Sequence, residues 1–232
     1  MSEPVKLIGC FGSPVVHRAE VALRLKGVPF ELITEDLNNK SELLLKHNPV
    51  HQKVPVLLHG DRPAICESLV IIEYVDEAFD GPPLLPTDPL DRAAARFWAN
   101  FMDKEQCGES MWMALWTDGE AQAASTRETM AKLTLIQGLL PKGKRFFGGD
   151  TIGFLDIVFS VFAHWMGVFE EIAGVRLLTD EKHPALCRWA REYMTDEIVR
   201  QCLPDRDRVV AALSMRKELY VSIAKAMAAL KY

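Results

Sequence analysis

Residues 50–58 read VHQKVPVLL, and Glu67-Ser68 follow a short distance along the chain. Pro55 lies inside an apolar run that otherwise has the composition of a strand. Proline has no N–H to donate to a sheet, so it marks a sheet edge, a strand start or a cis peptide bond. A cis bond would turn the backbone N–H and C=O of Val54 outward, where they can pair with an extended peptide. With an acidic residue and a serine at the next helix start, the stretch predicts a small peptide with free carboxylates as the ligand.

The composition is that of an ordinary globular protein, with 49% hydrophobic and 25% charged residues among 232. A net charge of −5 gives no general attraction to nucleic acid or to an anionic membrane. We see neither a signal peptide nor an apolar run long enough to cross a membrane, and so expect a cytoplasmic protein. The five cysteines are widely spaced without a C-x-x-C motif, which indicates reduced thiols and no disulfide framework or zinc site.

Residues 1–80 alternate short apolar runs with helical patterns. Strands are expected at 5–10, 30–34, 54–58 and 63–66, and helices at 14–27, 41–46 and 68–79. Ser13-Pro14 is a strong helix start, because serine is a preferred N-cap and proline suits the first helical position. The last two strands are close enough to form an antiparallel hairpin. This order predicts an α/β layer over residues 1–80.

Residues 81–88 are the predicted linker, because GPPLLPTD is rich in proline. Asp88-Pro89 then opens a helix in the same way as Ser13-Pro14. From residue 89 to residue 232 only helical patterns are found. They lie near 89–115, 119–140, 155–173, 184–194 and 205–230. The second domain, 89–232, is therefore predicted to be an all-α helical bundle.

The order of the segments and several motifs resemble the cytosolic glutathione transferases, and within them the plant tau class. The motifs are Ser13-Pro14 with Arg18, NKSELL (39–44), NPVHQKVPVL (48–57), Glu67-Ser68, ARFW (95–98), and FFGGD (146–150) leading to Asp156. The resemblance implies a thioredoxin-like N-terminal domain joined to a helical bundle, in a homodimer. It also implies an enzyme that conjugates the glutathione thiolate to small hydrophobic electrophiles in xenobiotic detoxification, with glutathione peroxidase activity on the side.

From the residues alone, Ser13 is interpreted as a helix N-cap, and the resemblance adds a catalytic role. Its hydroxyl can donate to the thiolate of glutathione while the helix N-terminus adds partial positive charge. Lowering the pKa of a thiol by one unit takes about 1.4 kcal/mol, which is within reach of one charge-assisted hydrogen bond. Thiol exchange would need a cysteine at this position. Cys10, in the preceding strand, is expected to be a small buried hydrophobe.

The resemblance assigns the parts of glutathione to separate residues. Lys40 and Lys53 meet the glycyl carboxylate, and Val54 pairs with the cysteinyl backbone. Glu67 takes the γ-glutamyl ammonium. The hydroxyl and N–H of Ser68 take the γ-glutamyl carboxylate at a helix N-terminus. From the residues alone, the lysines are solvated charges and Glu67-Ser68 is a helix cap, and both interpretations can hold together.

Four further residues are assigned to structure. Arg18 is expected in a surface or interdomain salt bridge, where the resemblance suggests that it supports the site. Pro55 shapes the turn before its strand. Asp156 belongs to a helix-capping element in which Gly153 replaces the usual serine or threonine, so only the aspartate half of the capping box remains. His51 is also interpreted as structural.

The electrophile pocket is expected between the two domains, with bundle core as the alternative for each aromatic residue or methionine. The candidates are Phe11, Gly12, Val15, Cys107, Ser110, Met111, Ala114 and Trp165. No metal or redox cofactor is implied, and glutathione is the co-substrate. Two alternative functions remain open: a non-catalytic carrier of apolar ligands, and a glutathione-dependent thiol-exchange enzyme, which Ser13 disfavours.

Overall fold

The computed structural model describes residues 3–103 and 107–229, and it begins with a four-stranded sheet and three helices. The strands are β1 (Val5–Gly9), β2 (Glu31–Thr34), β3 (Val56–His59) and β4 (Ile65–Cys66). The helices are α1 (Pro14–Leu25), α2 (Glu42–His47) and α3 (Ser68–Ala78). The elements predicted for this part are all present, with their ends shifted by one or two residues.

The strand order is β2-β1-β3-β4, with β1 parallel to β2 and antiparallel to β3. Strands β3 and β4 form the predicted antiparallel hairpin. Near the end of β1, Ile8 pairs with Val56 at the start of β3, and Val56 pairs with Cys66 at the end of β4. The loop before α1, the turn before β3 and the start of α3 therefore lie at one edge of the sheet.

Pro55 lies immediately before β3, and the Val54–Pro55 peptide bond is cis. The preceding turn is held by Asn48, whose side-chain amide donates to the Lys53 carbonyl at 2.9 Å. The side-chain oxygen of Asn48 accepts from the backbone N–H of His51 at 3.1 Å. The proline thus stands at a strand start and after a cis bond, which are two of the three explanations for its position.

The linker is tied to the first domain by Asp76 of α3. Its carboxylate accepts from the backbone N–H groups of Leu84 and Leu85 at 2.8 and 2.9 Å. Lys26 donates to the same carboxylate at 3.0 Å and to the Pro82 carbonyl at 3.2 Å. Both charged side chains are nearly buried, so the pair fixes the linker against the end of α1.

The second part of the chain is helical, apart from one isolated bridge between Phe146 and Gly149 in the described residues. Its first helices are α4 (Pro89–Asp103), α5 (Cys107–Trp116), α6 (Gly119–Gln137), α7 (Phe154–Val158) and α8 (Ser160–Ala163). They are followed by α9 (Trp165–Ala173), α10 (Pro184–Thr195), α11 (Glu197–Cys202), α12 (Arg206–Ser214) and α13 (Lys217–Ala229). The predicted cap at Asp88 is confirmed, because its carboxylate accepts from the N–H of Leu90 at 2.8 Å.

The helical domain differs from the sequence prediction in three ways. The pattern at 205–230 is two helices, α12 and α13, separated at Met215 and Arg216. The pattern at 155–173 is three short helices, interrupted at Phe159 and His164. Helix α11 was not predicted, because its six residues are too short for a clear helical period. Large aromatic side chains fill the domain core, including Trp116, Trp189 and Tyr193. Within the described ranges, no helix combines the length and the apolar character needed to cross a membrane.

Candidate active site

Ser13 stands at the start of α1, as predicted. It has an extended backbone, and its Oγ accepts a hydrogen bond from the N–H of Val16 at 3.3 Å. Pro14 occupies the first turn of the helix. Because a hydroxyl has two lone pairs and one proton, this cap uses an acceptor position and leaves the O–H as a donor, with the Cys10 side chain as one neighbouring partner. The geometry is therefore compatible with both roles considered for Ser13.

Ser13 lines a cavity of about 200 Å³ between the two domains. Two of the predicted electrophile residues from the same loop, Phe11 and Gly12, line it as well. Trp165 of α9 forms part of the opposite wall. Leu203 and Pro204, which join α11 to α12, complete that wall. Three of the eight electrophile candidates are thus brought together around Ser13.

Cys10 differs from its prediction. It follows β1 instead of lying in it, is only partly buried, and lines the Ser13 cavity. Burial raises the pKa of the Cys10 thiol, and a hydrogen bond with the Ser13 side chain opposes that effect. Its position was mistaken because an apolar run does not show where the last strand residue lies. With a raised pKa, Cys10 remains a thiol at neutral pH, which does not favour exchange chemistry.

Four of the five residues assigned to glutathione line a second cavity, of about 160 Å³, at the same sheet edge. They are Lys53, Val54, Glu67 and Ser68, and they are joined by Pro55 and Val15. The fifth, Lys40, is exposed and lies one residue before Ser41, the N-cap of α2, without lining that cavity. Val15 therefore lies on the peptide side of the cleft, apart from the cavity of Ser13.

Glu67 and Ser68 form the N-terminus of α3. Glu67 has the N-cap position with φ 72°, and its side chain makes no capping hydrogen bond. Its exposed carboxylate lies 3.8 Å from Nε2 of His51. Ser68 is only 6% exposed, and its hydroxyl accepts from Arg18 at 3.3 Å. The N–H groups of the first turn of such a helix have no intrahelical acceptor, which suits a carboxylate ligand.

Arg18 forms the predicted salt bridge, and the bridge is interdomain. The side chain is 3% exposed, and its two terminal nitrogens donate to Asp103 of α4 at 2.8 and 2.9 Å. It also donates to the Val158 carbonyl at 2.7 Å. Because the same guanidinium reaches Ser68, it links α1, α3 and the helical domain at one point.

Asp156 has the structural environment expected for a capping element. It is fully buried and accepts from the backbone N–H groups of Phe147, Gly148 and Gly153 at 2.8, 2.8 and 2.9 Å. It also accepts from Nε1 of Trp189 at 2.6 Å. Burial raises the pKa of this carboxyl, and the four hydrogen bonds oppose the effect. The residue organises the loop at 146–153 and stands apart from both cavities.

Four electrophile candidates on α5 lie in the bundle core instead of in the Ser13 cavity. They are Cys107, Ser110, Met111 and Ala114. The Ser110 hydroxyl donates to the Cys107 carbonyl at 3.2 Å, inside its own helix. Burial raises the pKa of Cys107 to about 11. The error is one of helical register, because an apolar helix of ten residues does not indicate which face meets the cleft.

The sequence analysis missed several residues of the Ser13 cavity. His17 and Glu20 of α1 line it, together with Leu32 and Thr34 of β2. Burial lowers the pKa of His17 to about 4 and raises that of Glu20 to about 7. His17 and Glu20 follow Ser13 by four and seven residues, which places them on the same helix face. This spacing could have predicted that they line the cavity. Among the described residues, no group of three or more His, Cys, Asp or Glu is arranged to hold a metal ion.

Comparisons with known proteins agree with this architecture. The family models "Glutathione S-transferase, N-terminal domain" and "Glutathione S-transferase, C-terminal domain" match residues 12–78 and 96–197. Glutathione transferase GST 23 of Zea mays is 45% identical, over 94% of this chain and 97% of its own. Glutathione S-transferase U8 of Arabidopsis thaliana is 41% identical, over 91% and 94%.

Solved structures give the same result. The tau-class glutathione S-transferase of mango, Mangifera indica, has a TM-score of 0.85 and 42% identity, covering 91% of this chain and 98% of its own. The structure of rice GST1 in complex with glutathione has a TM-score of 0.81 and 37% identity, covering 95% and 99%. The two domains, the serine at the start of α1 and these relatives agree: the chain belongs to the glutathione S-transferase family, in its plant tau class.

Proposed function

We propose that this protein conjugates the thiolate of glutathione to hydrophobic electrophiles, in xenobiotic detoxification. The observation that carries the proposal is the position of Ser13. Its hydroxyl caps α1 and lines one cavity, while Val15, two residues further along the chain, lines the cavity assigned to the peptide. Relatives of similar length are named glutathione transferases, and the rice relative is described in complex with glutathione.

Ser13 would act by favouring the thiolate over the thiol. Its O–H donates to the sulfur, and the partial positive charge at the N-terminus of α1 acts in the same direction. The thiol proton leaves to solvent as the anion forms. The sulfur then attacks the electrophilic carbon, a C–S bond forms, and a leaving group such as halide departs with the electron pair. Proximity in a cleft between the domains supplies the rest of the rate.

The peptide is held by the second cavity. Lys53 and the exposed Lys40 attract the glycyl carboxylate, and the backbone of Val54 pairs with the cysteinyl residue. The γ-glutamyl carboxylate accepts from Ser68 and from the first turn of α3, while Glu67 attracts the ammonium. The common lining of Lys53, Val54, Glu67 and Ser68 supports this arrangement.

The electrophile binds beside Ser13, against Phe11, Gly12 and Trp165. Leu203 and Pro204 offer apolar surface on the same wall as Trp165. The four core residues of α5 have no part in this pocket. Organic hydroperoxides would be reduced at the same place by the same thiolate. The chemistry needs no metal or redox cofactor, and we place the enzyme in the cytoplasm.

A homodimer would form through α3 and α4. Val70 and Phe97 are 53% and 57% exposed, and a partner that covered them would remove this apolar surface from water. Val70 lines a cleft of about 760 Å³ with Glu73 and Arg96, which pair at 2.6 Å. Light scattering should give the mass of a dimer for the chain and of a monomer for Phe97→Arg. A monomeric unmodified chain would contradict the proposal.

The experiment that tests the activity is the rate of conjugation of glutathione to a chromogenic aryl halide. We expect saturable turnover that depends on both substrates. Tight binding of apolar ligands with negligible turnover would instead indicate a carrier. Disulfide exchange without conjugation would indicate the thiol-exchange enzyme, despite Ser13. A preparation unfolded by heat is the control for the uncatalysed reaction.

A further inference from the structure

The loop that carries Ser13 is held by the helical domain. Nε1 of Trp165, the first residue of α9, donates to the Gly12 carbonyl at 2.7 Å. The guanidinium of Arg208 on α12 lies 4.6 Å from the ring centre of Phe11. The Gly12 carbonyl belongs to the peptide group whose nitrogen is that of Ser13. A hydrogen bond to this carbonyl therefore fixes the orientation of the peptide plane between Gly12 and Ser13.

Gly12 makes this contact possible. Its φ of 71° lies in the left-handed region, where glycine is not strained, and this turns the backbone toward the bundle. A Cβ on Gly12 would lie 3.4 Å from Cγ2 of Val209 on α12. That is an ordinary contact distance, so the positive φ, and not a lack of space, favours glycine where the loop lies against the helical domain.

The indole of Trp165 is itself held in one orientation. Trp165 is fully buried, and its ring packs against His17 and His164 at centre distances of 5.0 and 4.9 Å. Nδ1 of His17 lies 3.3 Å from the Cys202 carbonyl, which can only accept, so this nitrogen carries the proton. Nε2 of His17 therefore accepts from the Tyr193 hydroxyl at 3.2 Å. Burial lowers the pKa of His17 to about 4, which keeps this tautomer neutral.

We propose that Trp165 is a positioning residue for Ser13, acting through the hydrogen bond from its indole N–H to the Gly12 carbonyl. The proposal rests on the proposed function of Ser13 in thiolate stabilisation. It assigns to Trp165 a task beyond that of a pocket wall. The helical domain then determines the position of the hydroxyl as well as the shape of the electrophile site.

The test compares Trp165→Phe with Ser13→Ala and with the double variant. Phenylalanine fills most of the ring volume but has no N–H. The readouts are the pKa of bound glutathione, from the ultraviolet absorbance of its thiolate, and kcat and KM across pH. We expect Trp165→Phe to raise the thiol pKa by about half a unit or more, since one hydrogen bond is lost. KM for glutathione should stay within about twofold, because Trp165 does not line the peptide cavity.

The double variant separates positioning from general damage. If Trp165 acts through Ser13, Trp165→Phe adds no further change to the thiol pKa in the Ser13→Ala background. Trp189→Phe is the matched control, because it loses a buried indole N–H that serves Asp156 instead of Gly12. It should lower stability and leave the thiol pKa unchanged.

Several outcomes would overturn the proposal, and a further rise in the thiol pKa when Trp165→Phe is added to Ser13→Ala is among them. One is a wild-type thiol pKa in Trp165→Phe while Ser13→Ala raises it, which leaves the proposed function intact. Another is an equal rise in the pKa in Trp189→Phe. A wild-type pKa in Ser13→Ala removes the role of Ser13 and this inference with it. If Trp165→Phe does not fold, Trp165→His, which keeps a ring N–H, is compared with Trp165→Met, and equal thiol pKa values in the two would reject the proposal.

Discussion

The N-termini of helices α1 and α3 lie at the same edge of the sheet, and they are capped differently. Helix α1 is capped by Ser13, whose oxygen accepts from the N–H of Val16. Helix α3 has Glu67 at the equivalent position, with positive φ and no capping hydrogen bond from its side chain. The capped end retains an O–H donor, whereas the uncapped end retains N–H groups. Under the proposed function, the O–H serves the sulfur of glutathione and the N–H groups serve a carboxylate.

Arg18 connects the two ends, because it belongs to α1 and donates to Ser68 of α3. Its other partners, Asp103 and Val158, are in the helical domain. Arg18 therefore fixes the distance between the two helix ends, although it lines neither cavity itself. Substitutions at Ser13, at Glu67 or Ser68, and at Arg18 change one end or the link between the ends, and show whether the two ends respond separately.

The largest effect is expected for Arg18→Leu, which breaks the link. It leaves the Asp103 carboxylate and the Val158 carbonyl without their donor, so the free energy of unfolding should fall by about 3 kcal/mol. Urea unfolding measures the change. Arg191→Leu is the control, since its pair with Asp180 is exposed and its loss should leave the midpoint unchanged. An unchanged midpoint in Arg18→Leu would show that the two ends are not coupled through it.

The next effect is expected for Ser13→Ala, at the capped end. Turnover with an aryl halide should fall by about tenfold or more, because one thiolate hydrogen bond is lost. KM for glutathione should change little, since the peptide cavity is intact. Ser13→Thr keeps the hydroxyl and should retain part of the turnover. Equal turnover in Ser13→Ala would remove the role assigned to this residue.

A smaller effect is expected for Ser68→Ala, at the uncapped end. KM for glutathione should rise by about fivefold, since one hydrogen bond to a carboxylate is lost, and kcat should stay near that of the unmodified chain. Steady-state kinetics with varied glutathione measures both constants. If kcat falls and KM stays constant, the proposed separation between thiolate stabilisation at α1 and carboxylate binding at α3 is wrong.

The smallest effect is expected for Glu67→Gly. Glycine adopts φ 72° without strain but raises the entropy of the unfolded chain, so the free energy of unfolding should stay within about 1 kcal/mol. Loss of the carboxylate should raise KM for glutathione by about threefold. Glu67→Gln keeps the length of the side chain and should raise KM equally. Unchanged KM in both variants would exclude contact between Glu67 and the ammonium.

The sequence was sufficient for the N-terminal domain because its signals are local. Ser13-Pro14 marks a helix start, and the proline-rich stretch marks the linker, without any knowledge of the rest of the fold. The resemblance to a known family grouped Lys53, Val54, Glu67 and Ser68 as binding residues. In the fold they lie together because Lys53 and Val54 precede β3 while Glu67 and Ser68 follow β4, its antiparallel partner.

The helical domain could not be predicted as far, because its site residues depend on how helices pack. The apolar pattern that includes Met111 and Ala114 fits a pocket wall and a bundle core equally well. In the structure both residues lie in the core. The contact between Trp165 and Gly12 joins residues that are 153 positions apart. No periodicity in the sequence reports such a pairing.

Asp76 removes the freedom that a proline-rich linker would otherwise give to the two domains. A hinge needs a few residues whose dihedral angles can change, and here the N–H groups of Leu84 and Leu85 are bound to that carboxylate. The walls of the cleft are therefore preorganised, and binding loses little conformational entropy in bringing them together. Entry of substrate and release of product then depend on local side-chain and loop motion instead of on opening of the domains.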